Sequence, residues 1–216
     1  MLHGEDFVQA LRIRLGAGGP DEALPCRICK TGTLDHAATH CLCCALGQAT
    51  KGHNSVRDDL LGITKMADAS AEKEPVGLIP SHPLLRPADV LTSATTDGRL
   101  SAMDVGICSP DAADAGEDCT DTMRQRKLQD YGPYLRELEA QGITYTPMIW
   151  SCYGRPHQAT VDSLRAICKR AARRRTDQKW RTLYRRAAGI ISVRIWQRAA
   201  RMPFACFPRE SDLLGS

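Results

Sequence analysis

The stretch Leu84–Ile107, LLRPADVLTSATTDGRLSAMDVGI, decides how this chain is read. Two β-rich segments, Ala88–Thr92 and Leu100–Cys108, flank TTDGR, and Asp97-Gly98 is a hairpin signal because both residues tolerate positive φ. Asp89 falls in the first segment and Asp104 in the second, with fourteen residues between them. A turn at Asp97-Gly98 carries both carboxylates to the same end of a sheet. Two converging carboxylates suit a Mg²⁺ ion in partial, water-rich coordination. Such an ion positions a water and neutralises the leaving oxygen of a phosphodiester. Glu74, in AEKEPVGLIP, is a candidate third acidic ligand. Lys127, in MRQRKLQDY, is the candidate cation that orients the water, with Arg126 second.

Outward from this ribbon the pattern alternates between helix and strand. Upstream, residues 67–87 read as a loop broken by Pro75, Pro80, Pro83 and Pro87. Before it, Val56, Leu60, Leu61 and Ile63 predict a helix from His53 to about Met66. Residues 5–15 place Phe7, Val8, Leu11 and Leu15 at helical spacing, and GAGGP stops that helix. Downstream, a helix is predicted over Thr120–Ala140, stopped at Gly142, and ITYTPMIW (143–150) reads as a partly buried strand. Two helices follow. One carries a stripe of Val161, Leu164, Ile167 and Cys168; the other carries Trp180, Leu183, Tyr184, Ala187, Ala188 and Ile191. The shared stripe assigns Trp180 and Tyr184 to core packing. The order predicts a mixed α/β (α+β) fold.

CRICKTGTLDHAATHCLCC, residues 26–44, holds five of the ten cysteines and two of the six histidines. Cys26-x2-Cys29, then His36 and Cys41, supplies four soft ligands at short spacing, as tetrahedral Zn²⁺ requires. A loop this polar has little core of its own, so metal binding would organise it. His40 with Cys43 or Cys44 offers alternative sets. Disulfides are disfavoured because MLHGEDFVQALRIRLGAGG lacks the uninterrupted apolar run of a secretory signal. An intracellular, nuclear protein is expected, and no apolar run is long enough to cross a membrane.

Charge is unevenly spread. Residues 1–150 hold 14 Lys/Arg against 21 Asp/Glu, whereas residues 151–216 hold 15 against 4. A basic tail of this kind meets polyanions through backbone phosphates. Arg170, Arg173, Arg174 and Arg175 are the expected contacts. The expected partner is DNA, with RNA second, and neither a membrane nor a small-molecule substrate is called for.

The motif order resembles the restriction-enzyme-like endonuclease region near the C-terminus of site-specific non-LTR retrotransposon reverse transcriptase proteins. There a CCHC knuckle precedes an R/K-P-D motif and a second acid. The corresponding residues here are Cys26, Cys29, His36 and Cys41, then Arg86-Pro87-Ala88-Asp89, then Asp104. GHNSVRDDL (52–60) is similar to the linking stretch of those proteins, and RKLQDYGPYLRELEAQGITYTPMIW looks like their helix with a displaced lysine followed by a core strand. The resemblance implies a PD-(D/E)xK restriction-endonuclease-like mixed sheet flanked by helices, with Mg²⁺-dependent nicking of DNA. Asp89 and Asp104 would hold the metal, Lys127 would assist the water and Arg86 would contact phosphate. Two residues after the second acid the family pattern has lysine; this chain has Gly106, so activity requires Lys127 to reach in from its helix. The resulting division is an N-terminal helix (1–20), a zinc knuckle (21–52), an endonuclease-like core (53–156) and C-terminal basic helices (157–216).

Overall fold

The computed structural model describes residues 4–44, 48–95, 99–174 and 178–208. The expected turn at Asp97-Gly98 and the expected contact Arg175 lie outside them.

The strand β5 (Leu100–Cys108) organises the molecule. Its side chains alternate: Met103 and Val105 enter one core, while Ala102, Asp104 and Gly106 face the other side of the sheet. β5 pairs antiparallel with β4 (Val90–Thr92), which in turn pairs with the short β3 (Glu72–Lys73). On its other edge β5 runs parallel to β6 (Ile143–Ser151) over nine paired positions, from Leu100–Ile143 to Cys108–Ser151. The sheet order is therefore β3-β4-β5-β6, a mixed sheet. Pro147 is tolerated in β6 because β6 is an edge strand.

A parallel pair needs a crossover. It is made by α4 (Cys119–Asp130), a 3₁₀ turn (Gly132–Tyr134) and α5 (Leu135–Ala140). The sequence predicts one helix over Thr120–Ala140; Gly132-Pro133 breaks it, since proline cannot donate within the ladder. Asp118 caps α4 by accepting from the amides of Thr120 and Asp121 at 2.8 and 3.3 Å. Arg155 grips the same carboxylate at 2.9 and 2.6 Å and holds its pKa well below the usual range.

Three helices cover the opposite face: α3 (Gln48–Lys65), α6 (Gln158–Arg174) and α7 (Trp180–Cys206). Val56, Leu60 and Ile63 from α3, Leu164 and Ile167 from α6, and Leu183, Ala187, Ile191 and Ile195 from α7 close over Met103, Val105, Met148 and Trp150. Each such side chain fully removed from water contributes about 1.5–3 kcal/mol. The basic helices set apart by the sequence division thus belong to the main core.

Two apolar assignments from periodicity need correction. In α1 (Gly4–Arg14) the exposed residues are Phe7, Val8 and Leu11, with Leu15 just beyond, whereas Gln9, Ala10 and Ile13 are buried. Small Ala10, together with Gln9 donating to the Gly18 carbonyl at 2.6 Å, lets the narrower side of this helix pack inward. In α7, Tyr184 packs against the core but Trp180 does not. As the first residue of its helix Trp180 lies beside Lys169 near the end of α6 and is only half-buried.

Candidate functional site

The Cys/His segment folds as a short hairpin, β1 (Leu24–Pro25) with β2 (Thr33–Leu34), followed by α2 (Thr39–Cys43). The Cys44 amide donates to the His40 carbonyl at 2.8 Å, one helical turn back, so His40 and Cys44 share a face. That face looks at the Cys26–Cys29 turn. The ligand atoms of Cys26, Cys29, His40 and Cys44 all lie within 4.8 Å of one another. Cys26 Sγ is 3.9 Å from Cys44 Sγ, and Cys29 Sγ is 3.3 Å from His40 Nε2. Tetrahedral zinc with Zn–S about 2.3 Å and Zn–N about 2.0–2.1 Å sets S···S near ~3.8 Å and S···N near ~3.6 Å, so the four residues fit the ion.

His36 and Cys41, the third and fourth ligands by spacing, are not in this set. The His36 ring is exposed and stands 3.9 Å from Asp21. Cys41 is fully buried beside Cys206 at the end of α7. Cys43 points elsewhere, toward Ser109. Gly32 makes the geometry possible, because a Cβ there would fall 1.9 Å from the His40 ring. The Thr31 hydroxyl, with the amides of Thr31 and Gly32, draws the Cys29 thiol down to about 6. That favours the thiolate a metal needs.

Asp104 alternates with Met103 and Val105 along β5 and so points away from the core that those two enter. Asp89 lies one step beyond the Val90–Met103 pair and so faces Asp104 across β4 and β5. Its amide donates to the Met103 carbonyl at 2.8 Å, and its Oδ2 accepts from the Val105 amide at 2.7 Å. Lys127 reaches down from α4 to place Nζ 2.7 Å from Asp104 Oδ2. It does so across Gly106, where a Cβ would stand 2.9 Å from Lys127 Cε and 2.7 Å from Ile149 Cδ1. The structure thus brings together Asp89, Asp104 and Lys127.

Glu74 stays apart from that group. Arg57 and Arg86 hold its two oxygens, Arg86 at 3.5 Å. Arg86 is itself largely exposed at the edge of the cleft. Three neighbours escape sequence reasoning. His53 Nε2 lies 3.0 Å from Asp89 Oδ1, and the Tyr145 hydroxyl donates to Asp104 Oδ2. Tyr131 packs on Tyr145 with ring centroids 4.9 Å apart and planes tilted by 45°. His53 and Arg57 are one turn apart on α3, beside the apolar stripe of Val56 and Leu60. Two polar residues at i and i+4 against a core face were the available signal.

Electrostatics differ between the two acids. Burial works to raise Asp89, but the His53 hydrogen bond and charge, the Val105 amide and Lys127 overrule it, and its pKa falls. For Asp104 burial wins over Lys127 and Tyr145, helped by the repulsion of Asp89, and its pKa rises. Burial and the two carboxylates push Tyr131 to about 12, so its hydroxyl stays protonated and donates to the Arg86 carbonyl at 3.1 Å.

No protein-family model, curated protein or solved structure matches this chain.

Of the basic residues expected on phosphate, Arg170 donates to the Ser93 carbonyl at 2.7 Å and Arg174 to that of Ala67 at 2.8 Å. Both fasten α6 to the core through these bonds. Arg173 remains exposed in a groove with Lys169. Among the described residues no helix is long and apolar enough to cross a membrane.

Proposed function

We propose that the chain is a metal-dependent DNA endonuclease domain of retrotransposon origin, a PD-(D/E)xK-type core with a structural zinc knuckle, acting on DNA in the nucleus. One observation carries this reading: Asp89 and Asp104 face each other across β4 and β5, and an ammonium from α4 meets Asp104 through the space that Gly106 leaves open. A Mg²⁺ ion on these carboxylates supplies Lewis acidity and a water of lowered pKa. Asp104 Oδ1 accepts no hydrogen bond among the described residues, and His53 and the Val105 amide fix Asp89 in place. Lys127 holds positive charge beside the reacting phosphate, Tyr145 orients Asp104, and exposed Arg86 receives the neighbouring phosphate. Hydrolysis leaves a free 3′ hydroxyl. Zinc on Cys26, Cys29, His40 and Cys44 is structural, because four protein ligands close the coordination shell.

A second reading has its own support. Asp89 and Asp104 are already engaged by His53, Lys127 and Tyr145, and the third acid, Glu74, is taken up by arginines. That arrangement also suits a nucleic-acid-binding remnant that no longer cuts. Supercoiled plasmid incubated with the protein and Mg²⁺ separates the two. Nicking that vanishes in Asp104→Ala supports the enzyme; retarded but uncut plasmid supports the binder.

A further inference from the structure

Trp180 opens α7 at the rim of a groove of about 740 Å³ between the last turns of α6 and the first of α7. Its indole is half-buried and belongs to none of the buried apolar clusters. The ring's neighbours are cations: Lys169 Nζ lies 5.2 Å from its centroid and the Arg181 guanidinium 5.2 Å. Arg173, Lys179 and Arg185 complete the charged lining, and among the described residues no acidic side chain contributes. A second groove, of about 570 Å³, shares Lys169 and Arg173 and continues along α6 to Arg165, which pairs with Asp162 at 3.4 Å.

An indole without a core partner, ringed by long flexible cations and leading into a basic track, has the two components of a single-strand site. Cations follow the phosphates, and an aromatic face takes an unpaired base. In a duplex each base is already stacked on its neighbours, so a lone surface indole has nothing to receive. Lys169 and Arg181 are exposed and able to swing from the ring to a phosphate as the base arrives. We infer that Trp180 is a stacking platform for an unpaired nucleotide, with Lys169, Arg173 and Arg181 holding the flanking phosphates. It is a single-stranded nucleic-acid site separate from the carboxylate cleft, and it does not depend on whether that cleft cuts.

The test is fluorescence anisotropy of the zinc-loaded chain without Mg²⁺, using a labelled oligodeoxythymidine strand and a duplex of equal length. Trp180→Ala should weaken single-strand binding about tenfold. It should leave duplex binding and the salt slope unchanged, and Trp180→Phe should recover most of the loss. Arg173→Gln should instead reduce the salt slope by about one. Equal loss on strand and duplex, no loss on the strand, or a Phe variant as weak as Ala would each overturn the stacking role. Circular dichroism and a thermal melt establish that each variant is folded, and the exposed Lys169→Gln variant gives a second measure should Trp180→Ala melt early. Plasmid nicking, scored separately, reports on the cleft alone.

Discussion

Replacing candidate zinc ligands one at a time discriminates between two sets drawn from one segment. By spacing along the chain, His36 and Cys41 complete the Cys26–Cys29 pair; by geometry, His40 and Cys44 do. The consequence reaches beyond the knuckle. The Arg27 amide donates to the Cys206 carbonyl at 3.0 Å, and the Arg27 guanidinium donates to Ala205 at 2.9 Å. Cys26, Cys41, Cys44 and Cys206 also form one buried cluster. A metal held there would therefore anchor the end of α7, whose middle packs on α3 and the sheet. With free zinc at a thousand times its dissociation constant, the native state gains about 4.1 kcal/mol. A gain of 1 kcal/mol moves the melting temperature of a domain this size by about 2–4 °C. Chelation should then lower it by about 8–16 °C.

The assay is Co²⁺ substitution, read by the thiolate-to-metal charge-transfer band, together with the melt. Wild type should show the band of a three-thiolate site. Cys44→Ala, which removes one of the three thiolates, should weaken the band, His40→Ala should keep the thiolates but need more Co²⁺ to reach it, and both should melt near the chelated protein. His36→Ala should change neither reading, since that ring is exposed and away from the thiols. Cys41→Ala should keep the band while losing some stability, because Cys41 is packed in the core of the knuckle. Weakening of the band in His36→Ala or Cys41→Ala, with band and Co²⁺ requirement of His40→Ala and Cys44→Ala equal to wild type, would refute the geometric assignment.

Other outcomes follow from the cleft and its supports. Lys127 lowers Asp104, so Lys127→Met should raise that carboxyl further and move the acid limb of Mg²⁺-dependent nicking to higher pH; an unmoved limb in the pH–rate profile would separate the two residues. Gly106→Ala places a Cβ 2.7 Å from Ile149 Cδ1 and 2.9 Å from Lys127 Cε. Overpacking of that kind costs about 1–3 kcal/mol in urea unfolding, and nicking should fall with it as Lys127 is pushed off Asp104. Asp68 accepts from Thr92 at 2.7 Å, the Ser93 amide at 2.7 Å and Ser70 at 2.6 Å, and these bonds depress its pKa against the opposing effect of burial. A depressed carboxyl stabilises the fold above its unfolded pKa of 3.8 and loses that contribution as pH falls. Asp68→Ala should accordingly cost roughly 1.5–3 kcal/mol at neutral pH and flatten the acid side of a stability–pH curve. Arg174→Gln should destabilise the fold measurably and Arg173→Gln should not, as equilibrium unfolding will show, because only Arg174 has a backbone carbonyl to lose.

Much of the core was legible because it is periodic. Leu100–Cys108 was bounded from sequence at the residues observed, since two-residue alternation between Met103, Val105 and their neighbours admits one pleat. The facing of Asp89 and Asp104 followed from the same alternation once β4 was allowed to turn back. Helices α3, α6 and α7 were legible through their stripes. What failed lacked a periodic signature. β3 has two residues and exists because the Glu74 amide reaches the Asp89 carbonyl at 3.0 Å, a contact that no local pattern announces.

The zinc set shows the deeper reason. Counting along a chain treats ligands as beads on a loop, which favours the evenly spread His36 and Cys41. Residues 39–43 form a helical turn, and a helix groups residues by four, so His40 and Cys44 present together while Cys41 is rotated by about 100° toward Cys206. Trp180 errs in the opposite sense. Its spacing to Leu183, Tyr184 and Ala187 is helical, but a stripe predicts burial only where an apolar surface covers it, and beside Trp180 α6 presents the charged Lys169. Periodicity specifies which residues share a face; it does not specify what that face meets. The ligand set and the stacking surface both depend on that second fact, which only the packing of distant elements supplies.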